Sequence, residues 1–243
     1  MTNIIAHRGY RETNLPENSI PAFREAVKKG ASGFEFDIHL TSDNKLLCHH
    51  DANINDEQKS IIKETPLEKL RQYKLGDEVI LPTLDEIFTE FGNKTLMNLE
   101  VKADNAAKWI VEEIERYSID LSPDNLIISS FKENPLREIK ELNPKIQTAL
   151  LYVNMTSKIK LARSLKCDAL HPYYGNIPVY GVERFHKYMA KKHLNKGKKM
   201  QFIINPWTVN SPYLIKELMK MNIDGVITDK VSIAIKIQKE LSE

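Results

Sequence analysis

Gly33-Phe34-Glu35-Phe36-Asp37-Ile38-His39-Leu40, then Thr41-Ser42-Asp43-Asn44-Lys45, then Leu46-Leu47-Cys48-His49-His50-Asp51, is the stretch on which the reading of this chain turns. Side chains of a strand alternate between its faces, so Phe34, Phe36, Ile38 and Leu40 share one face and Glu35, Asp37 and His39 share the other. An isolated Glu-x-Asp would be no more than the solvated face of a strand. The turn formers from Thr41 to Lys45 change that. They fold Leu46 to His50 back antiparallel along the first run, which brings His50 and Asp51 beside Asp37. Two carboxylates two residues apart, with a histidine delivered next to them, form an acid/base and metal-ligand constellation.

Upstream, Asn3 to His7 reads as a short strand with His7 and Arg8 at its C-terminal end. A loop holding Pro16-Glu17-Asn18-Ser19 leads to an amphipathic helix over Pro21 to Lys29, with Ala22, Phe23, Ala26 and Val27 inward and Gly30 as its stop. Downstream, residues 52 to 81 are polar, with a short helix expected over Pro66 to Tyr73 and little that could form a core strand. They read as an excursion at the mouth of the site.

From Pro82 helices and strands alternate. A helix over Thr83 to Phe91 is followed by the strand Thr95 to Lys102 and a helix from Asn105 to Tyr117. The later strands are expected at Leu126 to Ser130, Ile146 to Leu151, Ala169 to Pro172, Gln201 to Asn205 and Gly225 to Thr228. Helices fall between them, around Pro135 to Leu142, Ser157 to Leu165, Gly181 to Lys191, Tyr213 to Met221 and Val231 to Leu241. Setting the hairpin's return strand aside, this predicts an α/β chain folded as a closed parallel (β/α)8 TIM barrel, with a short insertion at 52–81 after the second-strand hairpin. A doubly wound open sheet is the other arrangement compatible with the alternation. No linker or repeat interrupts it, so 1–243 reads as a single domain.

In such a barrel the active site lies at the C-terminal ends of the strands. His7 and Arg8 end the first strand, Glu35 and Asp37 the second, His50 the hairpin, and Glu100 and Lys102 the third, so all of them converge on one point. A plain ion pair between Glu100 and Lys102 is the simpler reading of that last pair. The oxygen-only set Glu35, Asp37 and Glu100 suits one hard divalent cation, Ca2+ or Mg2+. That leaves His7 and His50 as a proton-transfer pair, Arg8 as a planar fork for phosphate, and Lys102 as a second positive charge. Together they describe phosphoryl-transfer chemistry.

The 243 residues are 42% hydrophobic and 28% charged with net charge +2, enough for one large or two small domains with a substantial core. No basic stripe with interleaved aromatics appears, and the run Lys191 to Lys199 is short, so nucleic acid is not an expected partner. No apolar run approaches the about 20 residues of a membrane span, so no stable membrane anchor is expected. There is no room for a leader before Ile4-Ile5, and Cys48 and Cys167 suit reduced structural thiols, which points to the cytoplasm. The oligomeric state is left open.

His7-Arg8-Gly9, Pro16-Glu17-Asn18-Ser19, Ala22-Phe23, Gly30-Ala31, Glu35-x-Asp37, Thr41-x-Asp43, His50-Asp51, Pro82-Thr83-Leu84, Glu100-x-Lys102, Ser129-Ser130-Phe131 and Ile227-Thr228-Asp229, in this order, resemble the glycerophosphodiester phosphodiesterases. The resemblance implies a TIM-barrel hydrolase that cleaves glycerophosphodiesters to sn-glycerol 3-phosphate and an alcohol, using a divalent cation. It implies acid/base roles for His7 and His50, metal ligation by Glu35, Asp37 and Glu100, and phosphate contact by Arg8 and Lys102. Trp207, in Asn205-Pro-Trp-Thr-Val-Asn210, resembles the family's late aromatic at the substrate mouth, and its other reading is a core side chain. Ser19 stands where the family more often has threonine, and 52–81 lacks the family's Arg-Thr-Thr and glycine pattern, which leaves the preferred alcohol open. A lysophospholipase D-like enzyme acting on lysolipids is the nearer alternative, and a non-catalytic barrel is the reading from another class.

Overall fold

The apolar runs form eight parallel strands that follow one another round a barrel. In a computed structural model, which describes residues 1–76, 78–117, 123–154, 158–176 and 202–243, they are β1 (Asn3–Ala6), β2 (Gly33–Leu40), β6 (Leu96–Val101), β7 (Leu126–Ser130), β8 (Gln147–Tyr152), β9 (Ala169–Pro172), β10 (Ile203–Ile204) and β11 (Gly225–Thr228). The sheet order is β10-β9-β8-β7-β6-β2-β1-β11, with β3 (Leu46–Cys48) paired antiparallel to β2 at the side. Every neighbouring pair along that path is parallel. Two further short strands, β4 (Lys74–Leu75) and β5 (Val79–Ile80), lie apart.

Among the described residues no ladder joins β10 to β11. The ring is completed there by single hydrogen bonds from the segment after β10: Ile227 N donates to Pro206 O (2.9 Å) and Val209 N to Ile227 O (2.9 Å).

The helices are α1 (Ile20–Lys28), α2 (Leu67–Leu70), α3 (Leu84–Phe91), α4 (Ala107–Arg116), α5 (Glu133–Leu142), α6 (Lys158–Ser164), α7 (Pro212–Lys220) and α8 (Val231–Glu240). Ser19 caps α1 by accepting from Ala22 N, and Pro21 fits the first turn, where its missing N–H costs nothing. Thr83 and Glu86 cap α3 reciprocally. The main core lies between strands and helices: Phe23 of α1 stacks on Phe34 of β2 at 4.2 Å, and Phe91 of α3 meets Phe34 edge-on at 4.9 Å. Val27, expected inward on α1, is instead exposed because the helix turns only Ala22, Phe23 and Ala26 to the sheet. Gly33 allows β2 and β6 to approach closely, since a Cβ there would sit 1.8 Å from Leu96 O.

The insertion departs from the polar excursion expected of it. It folds through one 3-10 turn at Ile62–Glu64, α2 and the β4–β5 hairpin, and buries Ile54, Ile62, Leu70, Leu75 and Leu81 with Leu47 in a small core of its own. Too few of these apolar residues lie in periodic runs for a pattern to reveal them. Arg71 pairs with Glu86 of α3 at 2.8 Å, and Gly76 at the hairpin tip faces Pro16 of the β1–α1 loop. The insertion therefore reaches the mouth of the barrel. The helix expected over Gly181 to Lys191 and the lysine run lie outside the described residues. Cys48 and Cys167 are free and buried, and no described helix is long and apolar enough to cross a membrane.

The barrel interior is apolar towards the N-terminal ends of the strands, where Ile127, Ala149 and Ala169 meet, and polar towards the other end. His171 lies buried between these zones. Asn205 Nδ2 donates to its Nε2 (3.2 Å), and burial pushes the imidazole down to about 3. The folded protein therefore holds His171 neutral, whereas the unfolded chain takes up a proton near pH 6.5. Stability from this group is fully present above pH 6.5 and is lost as pH falls towards 3. The melting temperatures of wild type and His171→Gln are expected to converge as pH is lowered from 7 to 4. Parallel curves over that range would remove His171 from the acid limb.

Candidate active site

At the end of β1 the chain passes through Arg8 at φ +56° and Gly9 at φ +89°. This left-handed turn aims the Arg8 backbone N–H at Glu35 Oε2 (3.0 Å), and a left-handed non-glycine residue is a strain usually kept at functional sites. β2 carries Glu35 and Asp37 on its inner face, and the β2–β6 register sets Asp37 beside Glu100. One oxygen from each of Glu35, Asp37 and Glu100 lies within 4.8 Å of the others, and all three residues are buried. The sequence-predicted acidic set is thus brought together.

Two cations face it. Lys102 Nζ lies 2.5 Å from Glu100 Oε1 and 3.0 Å from Asp37 Oδ1, though the second contact lacks hydrogen-bond alignment. The simple ion pair between Glu100 and Lys102 therefore exists, within a larger cluster. Arg8 Nε lies 3.4 Å from Asp37 Oδ2, while its Nη1 donates to Glu17 Oε1 (2.9 Å).

Burial pushes Glu35 well up from the usual carboxylate range, and the charges of Asp37 and Glu100 add to it. Burial and then Asp37 raise Glu100 to about 7. Burial works on Asp37 too, but Lys102, Arg8 and the Asn18 amide outweigh it and hold this carboxyl below its ordinary value. Lys102 behaves likewise, kept charged by Asp37 and Glu100 against its own desolvation. Two of three carboxyls driven towards their neutral forms mark a deficit of positive charge. A divalent cation fits that deficit, and the all-oxygen donor set fits a hard one.

Each histidine is held by a carboxylate. His7 Nδ1 donates to Asp229 Oδ1 (2.8 Å), and Asp229 is fixed by Asn210, whose Nδ2 donates to Oδ2 (2.7 Å) and whose Oδ1 accepts from Asp229 N (2.9 Å). His50 Nδ1 donates to Asp51 Oδ1 (2.8 Å), and burial pulls its pKa below the ordinary value. The two pairs differ in shelter, for Asp229 is 26% exposed and Asp51 71%. His39, next on the polar face of β2, donates from Nε2 to the His50 carbonyl (3.1 Å) and anchors the segment that carries it.

Sequence reasoning attached no role to Asp229, Asn210, Asn18 or His39. Asp229 lies 222 residues from His7, so no local spacing signals their contact. Asn18 and Asp229 were visible only as members of motifs.

The opposite rim is aromatic. Phe131 meets Trp207 edge-on at 5.3 Å, Tyr173 lies 5.5 Å from Trp207, and the Trp207 indole N–H donates to His171 O (2.8 Å). Trp207 is half-buried at the mouth, between its two expected settings. Barrels often seat phosphate at the N-terminus of the helix after the last strand. Here that corner is taken by the chain's own Glu12, whose Oε2 accepts from Ser232 N in α8 (2.8 Å). A separate cavity of about 530 Å3 beside α3 and α4, lined by Arg71, Trp109 and Arg116 among others, contains none of these residues.

With this geometry in view, a profile of the glycerophosphoryl diester phosphodiesterase family matches residues 7–233. The chain belongs to that family. It is an enzyme, a phosphodiesterase of glycerophosphodiesters, and is 31% identical to the glycerophosphodiester phosphodiesterase of Caldanaerobacter subterraneus over 94% of each chain. The barrel superposes on the glycerophosphodiester phosphodiesterase of Parabacteroides distasonis with a TM-score of 0.82 and 26% identity, covering 100% of this chain and 98% of that one. A phosphodiesterase of Oleispira antarctica, solved with the product sn-glycerol-3-phosphate, shares the fold at a TM-score of 0.79 and 24% identity, covering 100% and 98% of the two chains. The family's barrel thus accounts for the whole ring of strands described above.

Proposed function

We propose that this phosphodiesterase converts glycerophosphodiesters to sn-glycerol 3-phosphate and an alcohol, with His7 and His50 as its acid/base pair, by way of a cyclic phosphate. The observation that carries this reading is the meeting, at one barrel mouth, of two carboxylate-held histidines with a buried acidic triad and two cations. The product bound to the Oleispira antarctica relative is consistent with it.

Carboxylates at both Nδ1 atoms fix the tautomers and leave each Nε2 to exchange protons. One histidine takes the proton of the glycerol hydroxyl beside the phosphoester as that oxygen bonds to phosphorus. The other gives its proton to the departing alcohol, so that the alcohol and a cyclic phosphate form. Water then opens the ring with the two roles reversed, and both histidines return to their starting states. Arg8 and Lys102 hold the phosphate oxygens, and Trp207 bounds the alcohol side.

Glu35, Asp37 and Glu100 would hold one divalent cation, Ca2+ or Mg2+. Once bound, it supplies Lewis-acid stabilisation to negative charge on the phosphoryl group. Chelation is expected to abolish activity reversibly, and Glu100→Gln to lower both cation affinity and turnover with the fold intact. Full activity in excess chelator would sink the cation site. The two buried thiols fit action in the reducing cytoplasm.

A second reading rests on Phe131 and Val153, which are 43% and 46% exposed at the aromatic rim and would suit a lysolipid chain. Comparing detergent-dispersed lysolipid with glycerophosphocholine as substrates separates the two.

A further inference from the structure

We infer that Asn18 is a positioning residue that fixes which oxygen of Asp37 is offered to the cation site. Asn18 is 1% exposed and sits at φ +54°, a left-handed conformation that asparagine adopts more readily than most residues. Its backbone N–H donates to Arg8 O (3.0 Å), tying it to the loop that also aims at Glu35. Its amide engages Asp37 at two points: Nδ2 donates to Asp37 Oδ2 (2.8 Å), and Oδ1 accepts from Asp37 N (3.1 Å). The same Oδ1 also accepts from Cys48 Sγ on β3 (3.4 Å).

Two features separate positioning from ligation. The amide oxygen already takes two donors, which uses the acceptor capacity that a ligand would need. Asp37 Oδ2 is likewise occupied, whereas Asp37 Oδ1 is buried with no aligned hydrogen bond and lies 3.0 Å from Lys102 Nζ. The last torsion of an aspartate is broad and close to two-fold. Without the amide, either oxygen could turn towards Arg8 or Lys102. Serine at this place would stop short of Oδ2, and glutamine would overshoot by a methylene. The amide thus selects one carboxylate orientation.

This inference rests on the proposed cation site, and its test separates the two. Mg2+ and Ca2+ are titrated calorimetrically at 25 °C into metal-stripped wild type, Asn18→Gly, Asn18→Ser and Cys48→Ala, with folding checked by circular dichroism. Asn18→Gly keeps the left-handed backbone and deletes only the side chain. Both Asn18 variants are expected to bind the cation about 10- to 100-fold more weakly, the usual scale for partners that orient a metal ligand. Cys48→Ala, which removes the other contact to the same oxygen, should stay within twofold of wild type. Asn18→Gly or Asn18→Ser within twofold of wild type overturns the inference, as does a Cys48→Ala protein as weak as they are, because the loss would then belong to general packing. Should Asn18→Gly not fold, Asn18→Ser decides alone. A wild type that takes up neither cation removes the cation site itself, and the inference with it.

Discussion

A glycerophosphodiester whose glycerol hydroxyl beside the phosphoester is deleted or methylated is expected to bind this enzyme and yet turn over several orders of magnitude more slowly. Among the described residues, the thiol and hydroxyls closest to the acidic cluster are not placed as nucleophiles. Cys48 is buried, and desolvation, then Asp37, push its thiol well above the ordinary range. Ser130 and Ser129 at the end of β7 are buried and donate to the carbonyls of Val101 (2.9 Å) and Leu99 (3.4 Å) on β6. In the proposed mechanism the attacking group is therefore water or the substrate's own hydroxyl. An internal hydroxyl already sits beside phosphorus, and well-oriented intramolecular attack gains about 7 to 11 kcal/mol over a free reactant. Steady-state turnover of the modified substrate, with its binding measured as competitive inhibition, checks this. Hydrolysis at the normal rate would establish direct attack by water.

His7→Ala and His50→Ala are each expected to lose about 10^2- to 10^4-fold in kcat, the usual scale for a positioned acid or base. The double variant should be little worse than either single one, since base and acid serve the same transition state and such effects do not add. Each variant should also keep its melting temperature near wild type, because both rings lie at the mouth and neither is part of the core clusters. A double variant that loses the product of the two single effects would mean that the histidines contribute independently and do not act as a coupled pair.

Much of this was legible in the chain because β2 alternates without error. Phe34, Phe36 and Ile38 join the core, Glu35 and Asp37 face inward, and the turn at Thr41 to Lys45 returns the chain along β2 as expected. Glu100 and Lys102 were legible for the same reason. What escaped depends on contacts between distant segments. Asp229 meets His7 only because β11 closes next to β1, and the parallel pairing of those strands follows from closure of the ring, not from any local pattern. The insertion's core escaped because Ile54, Ile62, Leu70, Leu75 and Leu81 are spread over turns too short to carry a period. Val27 falls on the apolar arc of α1 by spacing alone, yet lies beyond the reach of the sheet.

Among the described residues, the join between β10 and β11 is the one place on the ring without a strand ladder. There the backbone of Pro206 and Val209 pins β11, while Trp207 N donates to Pro172 O (3.0 Å) and Tyr174 N to Trp207 O (2.8 Å). One short peptide therefore serves as the clasp of the barrel and, in the function proposed above, as the wall on the alcohol side. A change of side chain made there to admit a bulkier alcohol also bears on the clasp, so reshaping this enzyme for new head groups is expected to be less costly at Phe131, which meets Trp207 edge-on but is carried at the end of β7, a strand secured along its length by ladders to β6 and β8.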